Sequence, residues 1–459
     1  FFLFKRMRRA IILLLATTCE LSFGRVTEND RWATLSSAWS DQQLSEKNKD
    51  VGTTLMISKN SDDTATPLER VDLPTGFENN ACLDGTNFAF YIQRAAAGAN
   101  STKWVFFLQG GGLCVEPIDC LKRMNSSLGS VSPAYGWEPL YHVGNDGAED
   151  LLSSIPEANP LFYSYNHVFM PYCTGDTWSG MRNTSTSTPE GFHFSGHHNI
   201  RATVAFLNAT YGLTDASHVL LAGSSAGGIG VFQNADYAKE FLFPSAALFK
   251  AAPVSGGYFP GPVVEYLEFV VGATAPVNAL ASKWLTSWFS SALDSSCVAA
   301  FEAAGEGENA HRCWDASVLY EYVDAPLFVV ENRFDQNQIN DVLLCPTSRN
   351  NTNTVDFVRD FGATMEAGLY ASVKGARGAS KGDGLFAPSC FMHTANICMQ
   401  GGPVVTSLSS APEVGVRLRD VLPAWFGRED TSGDASSHMF VDDCNDGEEL
   451  DPCNPSCVC

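Results

Sequence analysis

Positive charge is scarce in this chain. Against 51 aspartates and glutamates stand 29 lysines and arginines, a formal net charge of −22 over 459 residues. Beyond residues 1–24 no basic block interrupts the excess, which argues against nucleic acid as a partner, because its phosphates would be repelled. Strongly anionic polymers are disfavoured as substrates on the same ground, unless a local basic groove overrides the net charge. Long apolar runs are missing as well. Ala10 to Ala16 is a run of seven residues, whereas a bilayer span needs about 20, so no stable membrane insertion is expected. Repeats at solenoid periods are also absent, which excludes stacked-repeat architectures.

What is present suits a large exported domain. Hydrophobic residues make up 45% and charged residues 17%, enough to bury a sizeable core, and the length permits one large α/β domain with appendages. Near the start, Lys5, Arg6, Arg8 and Arg9 precede the short apolar run, and Ser22-Phe23-Gly24 has the small-x-small form of a cleavage site. Residues 1–24 therefore read as a secretory signal. Five Asn-x-Ser/Thr sequons, at Asn100, Asn125, Asn183, Asn208 and Asn350, point independently to export and glycosylation. Fourteen cysteines in an exported chain read as disulfides rather than metal ligands. Cleavage after Gly24 removes Cys19 and leaves thirteen, so either one thiol is free or cleavage falls earlier.

Along the chain, residues 25–75 are polar and weakly patterned, a leader rather than core. A catalytic domain is expected over residues 76–427. Five short apolar runs bounded by turn residues, "KWVFFLQ" (Lys103 to Gln109), "HVFMPYC" (His167 to Cys173), "HVLLAGS" (His218 to Ser224), "ALFKAAPV" (Ala247 to Val254) and "PLFVVEN" (Pro326 to Asn332), suit buried parallel strands. Helical spacing in "HHNIRATVAFLNAT" and "GGIGVFQNADYAKEF" alternates with them, so the expected class is α/β with a doubly wound, mostly parallel sheet. Residues 258–322 read as a helical insertion with Leu280, Trp284, Trp288 and Phe289 on one face, either packed as ordinary core or serving as a lid over a pocket. "VKGARGASKGDG" (Val373 to Gly384) reads as a solvated loop. Residues 428–459 carry nine acidic residues against one basic, with four cysteines, and read as a disulfide-stapled acidic tail.

The chemistry centres on "VLLAGSSAGGIG", Val219 to Gly230. Gly223-Ser224-Ser225-Ala226-Gly227 fits G-x-S-x-G between an apolar strand and a helical segment. Ser225 has glycines at both flanking positions while Ser224 has alanines, so Ser225 is the expected nucleophile. A serine hydroxyl needs a base, and the base needs an orienting carboxylate, in the chain order Ser, Asp/Glu, His. Among the histidines beyond Ser225, His311 precedes the next expected sheet strand and His438 lies in the tail, which leaves His393. Asp335 follows an apolar strand at the edge where such sites are built; on position alone it reads equally as a helix-start carboxylate. The glycine loop in "FFLQGGGLC" offers Gly111 and Gly112 amides, with that of Ala226, as donors to a developing oxyanion. "HFSGHH" (His193 to His198) invites a metal reading, but no paired acidic motif accompanies it and serine chemistry needs no metal or other cofactor.

Six ordered motifs, "ACLDGTNFAFYIQR", "FFLQGGGLC", "MPYCTGDTWSG", "LLAGSSAGGIG", "VVENRFDQNQI" and "SCFMHT", together resemble the pectin acetylesterase and Notum family of secreted esterases, over roughly Phe77 to Ile397. The resemblance implies an α/β-hydrolase-like fold, a Ser225, Asp335, His393 triad and an oxyanion site around Gly111, Gly112 and Ala226. It further implies disulfides Cys82 to Cys173 and Cys114 to Cys120. Leu113 departs from the tryptophan usual near that position in the family, which alters a wall of the pocket. The expected function is removal of O-linked acyl groups, first of all acetyl, from polysaccharide. A deacylase of fatty-acylated protein or lipid is the second reading, and a non-catalytic extracellular binding protein on a hydrolase fold the third.

Overall fold

In the computed structural model the apolar runs lie side by side as hydrogen-bonded strands. It describes residues 65–442 apart from 97, 99–100, 144–147, 183–190, 258–276, 343–351, 395–403, 407–414 and 429–437. The strands are β1 (Leu68–Asp72), β2 (Ala89–Gln93), β3 (Lys103–Leu108), β4 (Leu140–Tyr141), β5 (Asn166–Met170), β6 (His218–Ser224), β7 (Leu248–Val254), β8 (Phe328–Val330), β9 (Gly384–Ala387), β10 (Val405–Thr406), β11 (Gly415–Val416) and β12 (Met439–Val441). Ten of them form one sheet in the order β12-β9-β8-β7-β6-β3-β5-β2-β1-β4, and β10 with β11 makes a separate ribbon. From β12 to β5 every pairing is parallel, and β2, β1 and β4 add an antiparallel end.

The parallel strands are apolar because both faces are covered. β3 buries Trp104 to Leu108 throughout, and β5 is buried along its whole length. Burying each such large side chain contributes about 1.5–3 kcal/mol. The helices are α1 (Pro117–Met124), α2 (Gly196–Tyr211), α3 (Ala226–Tyr237), α4 (Val277–Phe289), α5 (Ser295–Ala303), α6 (Ala316–Leu319), α7 (Thr352–Lys374), α8 (Ala376–Lys381) and α9 (Leu418–Phe426). Most of α3 is buried, as a helix wedged against β6 and β7 must be.

Three expectations about organisation change. The polar leader cannot reach residue 75, because Leu68–Asp72 pairs with β2 and β4; its mixed burial left no apolar run to read. Met439–Val441, assigned to the acidic tail, pairs with β9 as an edge strand of the main sheet. The segment Val373 to Gly384 is not a solvated loop but the end of α7, then α8, then the start of β9. Its alanines, lysines and arginine are good helix formers, and they outweigh its glycines. The signal, most of the leader, most of the tail and residues 258–276 of the insertion lie outside the described residues.

The described part of the insertion is helical. Trp288 and Phe289 of α4 pack against Phe194, and Phe192 also meets Trp288. Cys297–Cys313 ties the start of α5 to the turn before α6. That disulfide was not expected from the sequence, whereas Cys82–Cys173 and Cys114–Cys120 are the two implied by resemblance. Cys390 is disulfide-bonded as well.

Candidate active site

Strand β6 ends in a backbone that a side chain rarely adopts. Ser225 sits between β6 and α3 with φ 55° and ψ −121°, the strained turn an exposed nucleophile requires. The parallel register sets Leu108 of β3 against Gly223 and Val254 of β7 against Ser224. The backbone is crowded from both sides there. A Cβ on Gly223 would meet the carbonyl oxygens of Gly227 and Leu108 at 2.6 and 2.8 Å. Only residues without a side chain let the turn close so near the neighbouring strand.

The other two members of the expected triad also follow parallel strands, Asp335 after β8 and His393 after β9. All three therefore gather at the carboxyl edge of the sheet, where loops from neighbouring strands converge. His393 Nε2 lies 2.8 Å from Ser225 Oγ, and His393 Nδ1 lies 2.6 Å from Asp335 Oδ2. A carboxylate can only accept, so Nδ1 carries the proton and Nε2 is free to accept from the serine hydroxyl. Asp335 is fully buried, while the His393 side chain keeps 20% of its surface exposed. The Asp335 Oδ1 accepts the Gln338 N–H at 2.8 Å, so the position also carries the helix-start role that the sequence left open.

Opposite the imidazole, the glycine loop leaves β3 and folds onto the elbow. A Cβ on Gly110 would stand 2.5 Å from the Ser224 carbonyl and 2.8 Å from Ser225 Cβ, so this loop touches the nucleophile's own backbone. Gly111 and Gly112 follow in left-handed conformations. Ala226 is the first residue of α3, where backbone N–H groups lack intrahelical acceptors. The glycine loop and the first residue of α3 thus both lie beside Ser225.

Several residues that hold this arrangement were not found by sequence reasoning. Arg123 of α1 donates Nη2 to the Gly111 carbonyl and Nη1 to the Leu128 carbonyl, and its guanidinium lies 5.6 Å from the Tyr172 ring centroid. Cys114–Cys120, which the resemblance implied, ties the same loop to α1. The His393 carbonyl accepts from Ser255 Oγ at 2.7 Å and Asn332 Nδ2 at 2.8 Å. Asp176 in "GDTWSG" is buried and accepts from Thr174 Oγ1, Trp178 N–H and Gly196 N–H; burial pushes its carboxyl up, and these donors oppose that. Through them it sets Trp178, whose Nε1 donates to the Gln109 carbonyl beneath the glycine loop. A motif of small and polar residues marked the place, but Gly196 and Gln109, which complete its contacts, come from other elements.

Two of the three clustered histidines have structural partners. His197 Nδ1 pairs with Asn234 Oδ1 at 2.8 Å, and His198 Nε2 with the Met181 carbonyl at 3.0 Å. His311 and His438 stand elsewhere, His311 on the Glu308 carbonyl and His438 against Arg428. Among the described residues, no group of three or more His, Cys, Asp or Glu side chains is placed to hold a metal ion. No helix among them is long and apolar enough to cross a membrane. Of the sequons, Asn125 is exposed and Asn208 half-buried; Asn100, Asn183 and Asn350 lie outside the described residues.

Residues 59–457 match the family described as Pectinacetylesterase. The chain belongs to the pectinacetylesterase family. Relatives include the palmitoleoyl-protein carboxylesterase NOTUM of Drosophila melanogaster, 28% identical over 72% of this chain and 45% of that protein. The chain thus spans about half the length of that relative. The human palmitoleoyl-protein carboxylesterase NOTUM is 29% identical over 82% of this chain and 70% of its own length. Pectin acetylesterase 11 of Arabidopsis thaliana is 25% identical over 82% and 88%. A solved structure of the Wnt deacylase Notum from Drosophila superposes with a TM-score of 0.64 at 24% identity, covering 86% of this chain and all of that one. The family's fold is therefore the α/β-hydrolase arrangement built above.

Proposed function

We propose that this pectinacetylesterase-family chain is a secreted serine carboxylic ester hydrolase that removes O-linked acyl groups through an acyl-Ser225 intermediate. The observation that carries the reading is the hydrogen-bonded chain from Ser225 Oγ through His393 to buried Asp335. Ser225 Oγ attacks the ester carbonyl while His393 Nε2 takes its proton, and the Gly111, Gly112 and Ala226 amides donate to the oxyanion. Collapse breaks the bond to the alkoxy oxygen, which leaves as an alcohol with the proton from His393. Water then attacks the acyl-serine with His393 as base again, releasing the acid and restoring Ser225. Asp335 holds the Nδ1 proton in place and stabilises the imidazolium.

Acetylated polysaccharide is the first-choice substrate, supported by the family and by the Arabidopsis relative's name. The charge of −22 favours a polymer less anionic than pectin. A second reading, hydrolysis of a longer acyl chain from protein, is favoured by one feature. Leu113 and Val115 of the glycine loop and Met124 of α1 pack on an apolar cluster of Phe192, Phe194, Leu285 and Phe289. The NOTUM relatives are named for that activity. Export is supported by the disulfides, which persist in oxidising compartments.

The test is hydrolysis of p-nitrophenyl acetate and octanoate by the wild type and Ser225→Ala, with fluorophosphonate labelling of both. Ser225-dependent turnover that falls with chain length supports the acetylesterase reading. An undiminished octanoate rate moves the assignment to the longer acyl group. Absence of both turnover and labelling would leave a binding protein on a hydrolase fold.

A further inference from the structure

Glu331 directly follows β8 and is fully buried beside the triad. Its Oε2 accepts the Gly257 N–H at 2.9 Å, and its Oε1 meets no donor. Asp335, four residues on in the same segment, is the neighbouring acid. Two carboxyls share a hydrogen bond only when one of them brings a proton. Asp335 accepts from the Gln338 N–H and from the His393 ring, whereas Glu331 accepts from a single amide. The anion is better supported on Asp335, so the proton belongs on Glu331.

We propose that Glu331 is a positioning residue of the ester-hydrolysing site, a neutral carboxylic acid that donates a hydrogen bond to Asp335 and keeps that carboxylate ionised and aimed at His393. The proposal rests on the triad reading above. Burial, with the adjacent Asp335 charge, pushes the Glu331 carboxyl well above the usual carboxylate range. Among the described residues, no cation offsets this. Arg333 is turned to Ser389 Oγ, the Asp442 carbonyl and Glu366. The loop after β7 contributes Ser255, Gly256 and Gly257; the turn Asn337–Val342 contributes Gln338; the segment after β9 contributes the His393 ring.

The consequence is a triad with a fourth member. With three donors on Asp335, the Nδ1 proton stays on His393 and Nε2 stays basic. Replacing the acid by an amide keeps both contacts, since Gln can accept from Gly257 and donate to Asp335. Replacing it by leucine removes both, leaving Asp335 more basic and the imidazolium more favoured.

The experiment compares the wild type, Glu331→Gln and Glu331→Leu by pH-dependent kinetics on p-nitrophenyl acetate, infrared difference spectroscopy and near-UV circular dichroism as a folding check. At neutral pH the wild-type spectrum shows the C=O stretch of a neutral carboxylic acid that Glu331→Gln lacks. Glu331→Gln keeps kcat within about threefold with the acid limb of kcat/KM unmoved. Glu331→Leu loses about 10- to 100-fold in kcat with KM within about twofold, and its acid limb moves to higher pH. An ionised Glu331 would overturn the proposal: the acid band would be unchanged in Glu331→Gln and the acid limb would move to lower pH as an anion is lost. A folded Glu331→Leu enzyme with wild-type kcat would overturn it equally. A wild type without Ser225-dependent turnover would fail the esterase reading instead, and the infrared band would still decide whether Glu331 is neutral.

Discussion

The carbonyl oxygen of Leu108 lies 2.0 Å from the point where a Cβ on Gly227 would stand. Strand β3 and the first turn of α3 are thus in backbone contact across the elbow. Neither side of that contact is a flexible side chain that can move away. Gly227→Ala is expected to destabilise the fold by about 3 kcal/mol, because relief requires a backbone shift. Urea unfolding measures it, and a variant with the wild-type midpoint would show that the contact is looser than described.

Asp335 is fully buried and makes a 2.6 Å hydrogen bond to His393 Nδ1. Asp335→Asn keeps the shape but turns an acceptor into a donor toward Nδ1, favouring the tautomer with the proton on Nε2. The expected loss in kcat is about 10⁴-fold, with folding retained. Steady-state kinetics with a melting control checks this; a loss of less than tenfold would remove Asp335 from the relay.

Arg123 holds the Gly111 carbonyl from α1, and Cys114–Cys120 holds the same loop to the same helix. Arg123→Met is expected to lower kcat by about 10- to 100-fold while KM changes little, since misplaced amides weaken the transition state more than the ground state. Parallel losses in binding and rate would instead place Arg123 in substrate recognition.

His167 is fully buried with Nε2 2.8 Å from the Phe162 carbonyl, and burial pushes its pKa down to about 4. The unfolded chain takes up that proton near pH 6.5, so between about 6.5 and about 4 the unfolded state binds more protons. The contribution is fully present above about pH 6.5 and is lost as pH falls to about 4, up to about 3 kcal/mol. Buried carboxyls such as Asp176 and Asp383, pushed up by burial, act in the opposite sense. The difference between wild type and His167→Gln therefore isolates the histidine. Melting temperatures through this range should fall more steeply for the wild type; parallel curves would show that His167 is not held neutral.

Local sequence was enough for the parts whose physics is local. Each of the five apolar runs became a strand because a parallel sheet covered on both faces demands unbroken hydrophobicity. The elbow was legible because its glycines and its serine are adjacent in the chain. Strands β1, β9 and β12 were not, since they are short and β1 is only partly buried. Val373 to Gly384 misled because glycine marked turns that proved to be helix boundaries.

By itself, then, the sequence determined an α/β chain with a serine elbow and the residue types a relay needs. The tertiary structure decided which of them meet. Asp335 and His393 stand 58 residues apart and Ser225 stands 168 before the histidine, yet all three follow strands of one parallel run, β6, β8 and β9. The contacts of Arg123 with Gly111 and of Ser255 with His393 likewise join different loops or segments. Such contacts depend on which strand lies beside which, and strand order is set by how the whole core closes rather than by any one stretch of chain.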